Sequence, residues 1–325
     1  MKVLVVGKRG GVLQWFESVL DGFLELPDIK IKSFAVNHSG VFDRFFKGVV
    51  KNCNKKVFDR IVVDQFTEEL SSFRPDLVLI VDCWYVPSGF FEALDSLKKT
   101  SLVAWWIGDL FDRENLSRFG CIDKFYFTDS YFLEYAAQGG IFNSSYLPLA
   151  SNPRKYSLVN SGPRDSRLVF VGAYAENRET LLRQVKDPIL VVGKRWDRLT
   201  DSIHCVQAKR VTLQKVNILY NQHIGVLNIK NSDNVVNGLN MRTFDAPASG
   251  CVVLNDAVGD LERCFEIGKE LLVYHDSEEL NDSVERISRD AAECREIAEA
   301  GRRRVLAEHL YQHRIATILN DLFSK

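Results

Sequence analysis

Short apolar runs alternate with amphipathic stretches along the chain, the pattern of parallel strands joined by helices. Val3-Leu4-Val5-Val6 reads as a first buried strand, followed by the turn Gly7-Lys8-Arg9-Gly10-Gly11. Residues 12–20 carry apolar side chains at helical spacing. A second strand is expected over 29–36, a short one at Arg60-Ile61-Val62-Val63, and a short helix over 67–73 stopped by Pro75. Leu77-Val78-Leu79-Ile80-Val81 and residues 101–107 are continuous apolar runs, the form taken by strands covered on both faces. Lys124-Phe125-Tyr126-Phe127-Thr128 is another, with a helix over 131–137 behind it.

Between residues 148 and 166 this periodicity gives way to Pro148, Pro153, Gly162, Pro163 and polar residues, which is linker chemistry. A second α/β series follows, with strands expected at 167–172, 189–193, 224–229 and 251–254. The remainder reads as helices over 279–292, 293–306 and 314–323. Two doubly wound domains facing each other across a cleft are the expected architecture. The length of 325 residues agrees, since single cores stop growing near 250–300 residues.

Composition then removes several classes. Hydrophobic residues make up 46% and charged residues 26%, ordinary globular values. The 42 Lys plus Arg balance 43 Asp plus Glu, which gives no support to a nucleic-acid-binding surface. No stretch approaches the roughly 18 apolar residues of a membrane span. Seven scattered cysteines without a C-x-x-C pair indicate neither zinc nor a disulfide framework, and point to a reducing, cytoplasmic setting. The six histidines are dispersed, and His309 with His313 lacks a third ligand, so no metal site is expected.

Ligands of open parallel sheets bind beyond the carboxyl ends of the strands. Asp82 and Asp109 follow two such strands, and Asp109 comes after Trp105-Trp106-Ile107-Gly108, where a glycine admits a ligand and aromatic faces can stack on a sugar. Both are candidate catalytic carboxylates. Asp129-Ser130 reads as a helix N-cap. Gly10 and Gly11 lie in a turn that brings backbone amides toward a ligand, although it is neither a dinucleotide fingerprint nor a Walker sequence. In the second half, Gly172 with Arg178, and Gly193-Lys194-Arg195, set glycines and cations at strand ends. Lys194 and Arg195 read equally well as solvated surface charge. The densest signal is Asn240-Met241-Arg242-Thr243-Phe244-Asp245 running into Ser249-Gly250-Cys251-Val252-Val253-Leu254. Arg242 suits a diphosphate through its planar fork, and Asp245 suits ribose hydroxyls. The structural alternative is an Arg242–Asp245 pair at i,i+3.

These stretches resemble the GT-B glycosyltransferases, specifically the group related to the spore-maturation protein CgeB. Leu168-Val169-Phe170-Val171-Gly172 with Asn177-Arg178, residues 240–245 running into 249–254, residues 265–270, Tyr274-His275-Asp276, and residues 300–306 with His309-Leu310-Tyr311 and Arg314 carry the likeness. In the first half, 105–109 and 146–150 are similar as well. The resemblance implies an acceptor domain over 1–155, a nucleotide-sugar donor domain over 156–310, and a final helix over 311–325 crossing back. It implies sugar transfer from a nucleotide sugar to a glycan, lipid-linked or protein acceptor, with no cofactor or metal. Arg178, Lys194 and Arg242 would then neutralise the departing diphosphate, with Gly172, Asn240, Thr243 and Asp245 completing the donor site. Many retaining members carry two Glu separated by seven residues, and the matching positions here are Asn237 and Asp245. The neutral Asn237 leaves room for a sugar-nucleotide-binding relative without turnover. A nucleotide-sugar epimerase of the same fold is a further alternative.

Overall fold

The computed structural model describes residues 1–10, 14–37, 54–81, 87–96, 100–108, 120–159 and 162–324. The chain divides into two units, Met1–Leu147 with Arg314–Lys325, and Pro148–His313. Each is built on a six-stranded parallel sheet.

The first unit runs β1 (Lys2–Gly7), α1 (Trp15–Phe23), β2 (Lys30–Ala35), α2 (Lys55–Phe73), β3 (Leu77–Val81), α3 (Ser88–Asp95), β4 (Leu102–Ile107), β5 (Lys124–Phe127), α4 (Ser130–Gln138) and β6 (Ser144–Tyr146). Its strand order is β2-β1-β3-β4-β5-β6. All five residues of β3 are buried, as its unbroken apolar run requires. The strand expected at 60–63 is instead the middle of α2. Phe58, Val62, Phe66, Leu70 and Phe73 turn one face of that helix into the core, while the β-branched Ile61 and Val63 suggest a strand only when read locally. Phe66 stacks on Phe90 of α3 with ring centroids 4.0 Å apart. Asp129 caps α4 by accepting from the Tyr131 amide, as expected.

The second unit runs β7 (Asp165–Val171), α5 (Glu176–Leu182), β8 (Leu190–Val192), β9 (Cys205–Gln207), α6 (Leu213–Gln222), β10 (His223–Asn228), α7 (Arg242–Ala248), β11 (Val252–Asp256), β12 (Leu272–Tyr274), α8 (Ser277–Arg289) and α9 (Ala291–Glu308). The order β12-β11-β10-β7-β8-β9 is the doubly wound dinucleotide-fold order, with its reversal between β7 and β10. The last helix, α10 (Tyr311–Phe323), carries residues of both units. In the first unit, its Asp321 accepts a 2.9 Å hydrogen bond from the Tyr126 hydroxyl and pairs with Lys124 at 3.1 Å.

The Pro- and Ser-rich stretch after residue 148 is held by side chains rather than by a strand ladder. Asn217 and Asn221 on α6 accept from the amides of Ser157 and Val159, and Asn221 donates back to the Ser157 carbonyl. Ser151 pairs with the backbone of His309 and Tyr311. Cys121, Cys251, Cys264 and Cys294 are buried free thiols, and Cys205 is exposed. Among the described residues no helix is long and apolar enough to cross a membrane.

Candidate functional site

Ligands in such sheets collect at the strand ends where the order reverses. In the second unit that place lies between the ends of β7 and β10, and cations gather there. Arg178 is 7% exposed; its Nε and Nη2 donate to the Ile229 carbonyl at 3.2 and 3.1 Å, and its Nη1 to the Ala173 carbonyl at 2.9 Å. Arg242 reaches the same carbonyl through Nη2 at 3.1 Å and gives Nε to the side-chain oxygen of Asn228 at 2.8 Å. Both guanidiniums also lie against the Phe170 ring, at 5.6 and 5.8 Å from its centroid.

All of these acceptors are neutral. The acids Asp256 and Asp245 act on Arg242 only through space. Burial, and then repulsion from Arg242, lowers Arg178 to about 9, so it remains protonated at neutral pH. Burial lowers Arg242 as well. Two cations are therefore desolvated beside each other, with no carboxylate among the described residues bonded to either guanidinium. Asp256 acts on both, and Asp233 on Arg178, only through space, and a bound anion would relieve the arrangement further.

The other residues singled out in the second half fall around this pair. Gly172 follows β7, and a Cβ there would come within 3.4 Å of Arg242 Nη1 and 2.9 Å of the Phe170 ring. Asn240 donates to Asn228 at 3.0 Å and accepts from the Arg242 amide at 3.0 Å. Thr243 is fully buried, its hydroxyl donating to Asn255 and accepting from Asn228. Asp245 accepts at 2.9 Å from the Ser151 hydroxyl, and burial holds its carboxyl well above the usual range. Arg242 thus spends its side chain on Asn228 and Ile229, not on an i,i+3 bond to Asp245. Lys194 is exposed, on the turn after Gly193.

In the first unit, Gly10 has φ +76°, and its amide donates to Glu17 Oε1 at 2.7 Å. Gly11, Asp82 and Asp109 lie outside the described residues. His309, read above for metal chemistry, bonds the Cys264 carbonyl at 2.8 Å and packs between Phe244 and Phe265.

Three participants escaped the sequence reading: Asn228, Asn255 and the Ile229 carbonyl. Asn228 ends a buried strand and Asn255 is the last but one of its neighbour, amides at positions where an apolar residue would suffice for packing. That is the signal that could have found them.

The order of the two sheets and the position of the reversal decide the architecture. The fold is GT-B. Residues 176–320 match the family described as glycosyl transferase-like. Sucrose-phosphate synthase from Thermosynechococcus elongatus superposes over 99% of both chains with a TM-score of 0.69 at 13% identity. A glycosyltransferase from Rickettsia africae does so over 99% of both, with a TM-score of 0.71 at 10% identity. The Anabaena protein HepE, solved in complex with UDP-glucose, covers 99% of this chain and 100% of its own, with a TM-score of 0.66 at 13% identity. No curated protein sequence matches the chain. The Arg178–Arg242 pair lies at the second unit's reversal point, both guanidiniums donating to the carbonyl that follows β10.

Proposed function

We propose that the chain is a glycosyltransferase that binds a nucleotide sugar at the β7–β10 reversal. The supporting observation is the Arg178–Arg242 pair, oriented by neutral acceptors on one carbonyl. Glycosyl transfer builds negative charge on the departing diphosphate, and prepaid positive charge at that point lowers the barrier. The guanidiniums supply this compensation themselves, so the reaction is proposed to be independent of metal. The likeness to a protein solved with UDP-glucose supports a nucleotide-sugar donor. A member of the CgeB-like group acting in the cytoplasm on a glycan, lipid-linked or protein acceptor fits the sequence motifs. If the reaction inverts the anomeric centre, Asp109, with Asp82 behind it, is the proposed base for the acceptor hydroxyl, and Asp109→Asn should lower turnover about a hundredfold or more with donor affinity kept.

The test is a thermal-shift screen against UDP, GDP, dTDP and CMP sugars. A donor at about a hundred times its dissociation constant adds roughly 2.7 kcal/mol of stability. Absence of any shift, together with absence of binding by calorimetry, would defeat the reading. The neutral Asn237, where the resembled pattern has an acid, favours a second reading: a sugar-nucleotide-binding protein without turnover. Slow hydrolysis of the bound donor to free sugar separates the two, since a transferase leaks donor to water.

A further inference from the structure

We infer that Asn228 is a positioning residue, an uncharged acceptor that aims Arg242 at an anion without neutralising it. The inference rests on the donor-binding reading above. A guanidinium is commonly held in place by a carboxylate, but a carboxylate in contact would cancel most of the attraction for phosphate. Here the holding group is an amide with no exposed surface at the end of β10. Its oxygen accepts from Arg242 Nε at 2.8 Å and Asn240 Nδ2 at 3.0 Å; its nitrogen donates to Thr243 Oγ1 at 3.0 Å and to Asn255. That is the full capacity of an amide side chain, so its orientation is fixed from both sides.

The direction is set one residue further away. Asn255 donates its Nδ2 to the Asp256 carbonyl at 2.7 Å and to the Asp256 carboxylate at 3.3 Å. Its oxygen must therefore face Thr243 and Asn228, and the oxygen of Asn228 must face Arg242. Reversing either amide would set donors against donors. A chain of neutral amides thus separates the Asp256 carboxylate from Arg242 while carrying its orienting effect.

Calorimetry on the full chain tests this with inorganic pyrophosphate, with the best-bound of UDP, GDP, dTDP and CDP, and with the matching nucleoside. Asn228→Ala should weaken pyrophosphate and nucleoside diphosphate about tenfold and leave the nucleoside within twofold. Asn228→Asp keeps the acceptor but adds charge, and should weaken pyrophosphate at least as much. In an Arg242→Ala background neither change should have further effect. Equal loss of nucleoside and pyrophosphate, wild-type affinity in Asn228→Asp, or losses additive with Arg242→Ala would overturn the role. Should Asn228→Ala fail to fold, Thr243→Val removes one hydrogen bond from the same amide. About a threefold loss confined to the phosphate ligands is then expected, and no loss would be decisive against it. If wild-type protein binds no nucleotide and no pyrophosphate, the donor reading and this role fall together; normal binding insensitive to residue 228 removes the role alone.

Discussion

In the first unit, the glycines at the ends of β1 and β4 are covered by rings: a Cβ on Gly7 would lie 2.2 Å from Phe16, and one on Gly108 2.5 Å from Trp15. In the second unit the glycine after β8 meets backbone, and the one after β7 meets a ring and a cation together. A Cβ on Gly193 would fall 1.8 Å from the Gly172 carbonyl oxygen, and one on Gly172 would lie 2.9 Å from the Phe170 ring and 3.4 Å from Arg242 Nη1. The Gly172 carbonyl also takes the Trp196 indole N–H at 2.7 Å. Two parallel sheets of equal strand number thus finish their carboxyl edges differently. At Gly7 and Gly108 the first edge is packed with aromatic carbon alone, while at Gly172 and Gly193 the second brings in a cation and backbone. On the proposed reading, sheet topology sets where a ligand sits, and the cation beside Gly172 selects an anion there.

The contrast is open to direct attack. Gly193→Ala should be the most damaging change, because backbone rather than a movable side chain blocks the new methyl. A loss of roughly 3 kcal/mol or more in urea unfolding of the second unit is expected. Gly7→Ala meets only a ring, and should lose about 1–3 kcal/mol. Equal losses would remove the distinction. Next in size is Arg242→Ala, expected to reduce pyrophosphate affinity by about 1.5–3 kcal/mol in calorimetry. Arg9→Ala, at the first unit's edge, should change it less than about twofold, and a comparable loss there would remove the contrast between the two units.

Asp245 provides a third and smaller effect. Burial raises its carboxyl in the folded chain, whereas unfolded Asp titrates near 3.9. Below that pH both states are protonated and the stabilising contribution is fully present. As the pH rises, the unfolded chain ionises first, and stability is lost up to the folded pKa. Asp245→Asn keeps an acceptor for Ser151, so it should gain on the order of 1 kcal/mol at pH 7 and nothing below pH 4 in thermal unfolding. The smallest effect belongs to the pair at the start of β7. Hydrogen bonds from Arg167 hold Asp165 at about 2. That contribution is present above pH 4 and disappears as the pH falls through 2. Both side chains are largely solvated, so Arg167→Ala should lose no more than about 0.5 kcal/mol at neutral pH.

Much of the scaffold was legible because buried parallel strands write themselves as unbroken apolar runs: β3, β4, β7 and β10 fall where such runs stand. What stayed hidden has physical reasons. Of the three-residue strands, β8 stands inside an apolar run and was legible, while β6 and β9 are too polar and β6, β9 and β12 too short to show a period. The middle of α2 looks like a strand because its β-branched residues are adjacent, although its core contacts repeat every three or four positions. At the candidate site, Arg242 and Gly172 stand out by residue type, whereas the Ile229 carbonyl is backbone and leaves no trace in a sequence. Asn228 and Asn255 acquire meaning only once parallel pairing sets β10 and β11 side by side in register, Asn228 opposite Asn255.

The Lys124–Asp321–Tyr126 contact bears on the order in which the molecule can be made. The first unit takes in Arg314–Lys325, residues that are synthesised only after the whole of the second unit. Domains ordinarily complete themselves in the order they leave the ribosome. Here that order is inverted: the second unit has all its residues first, while Tyr126 and Lys124 wait for Asp321. Until then, the first unit lacks the carboxylate that Lys124 and Tyr126 share.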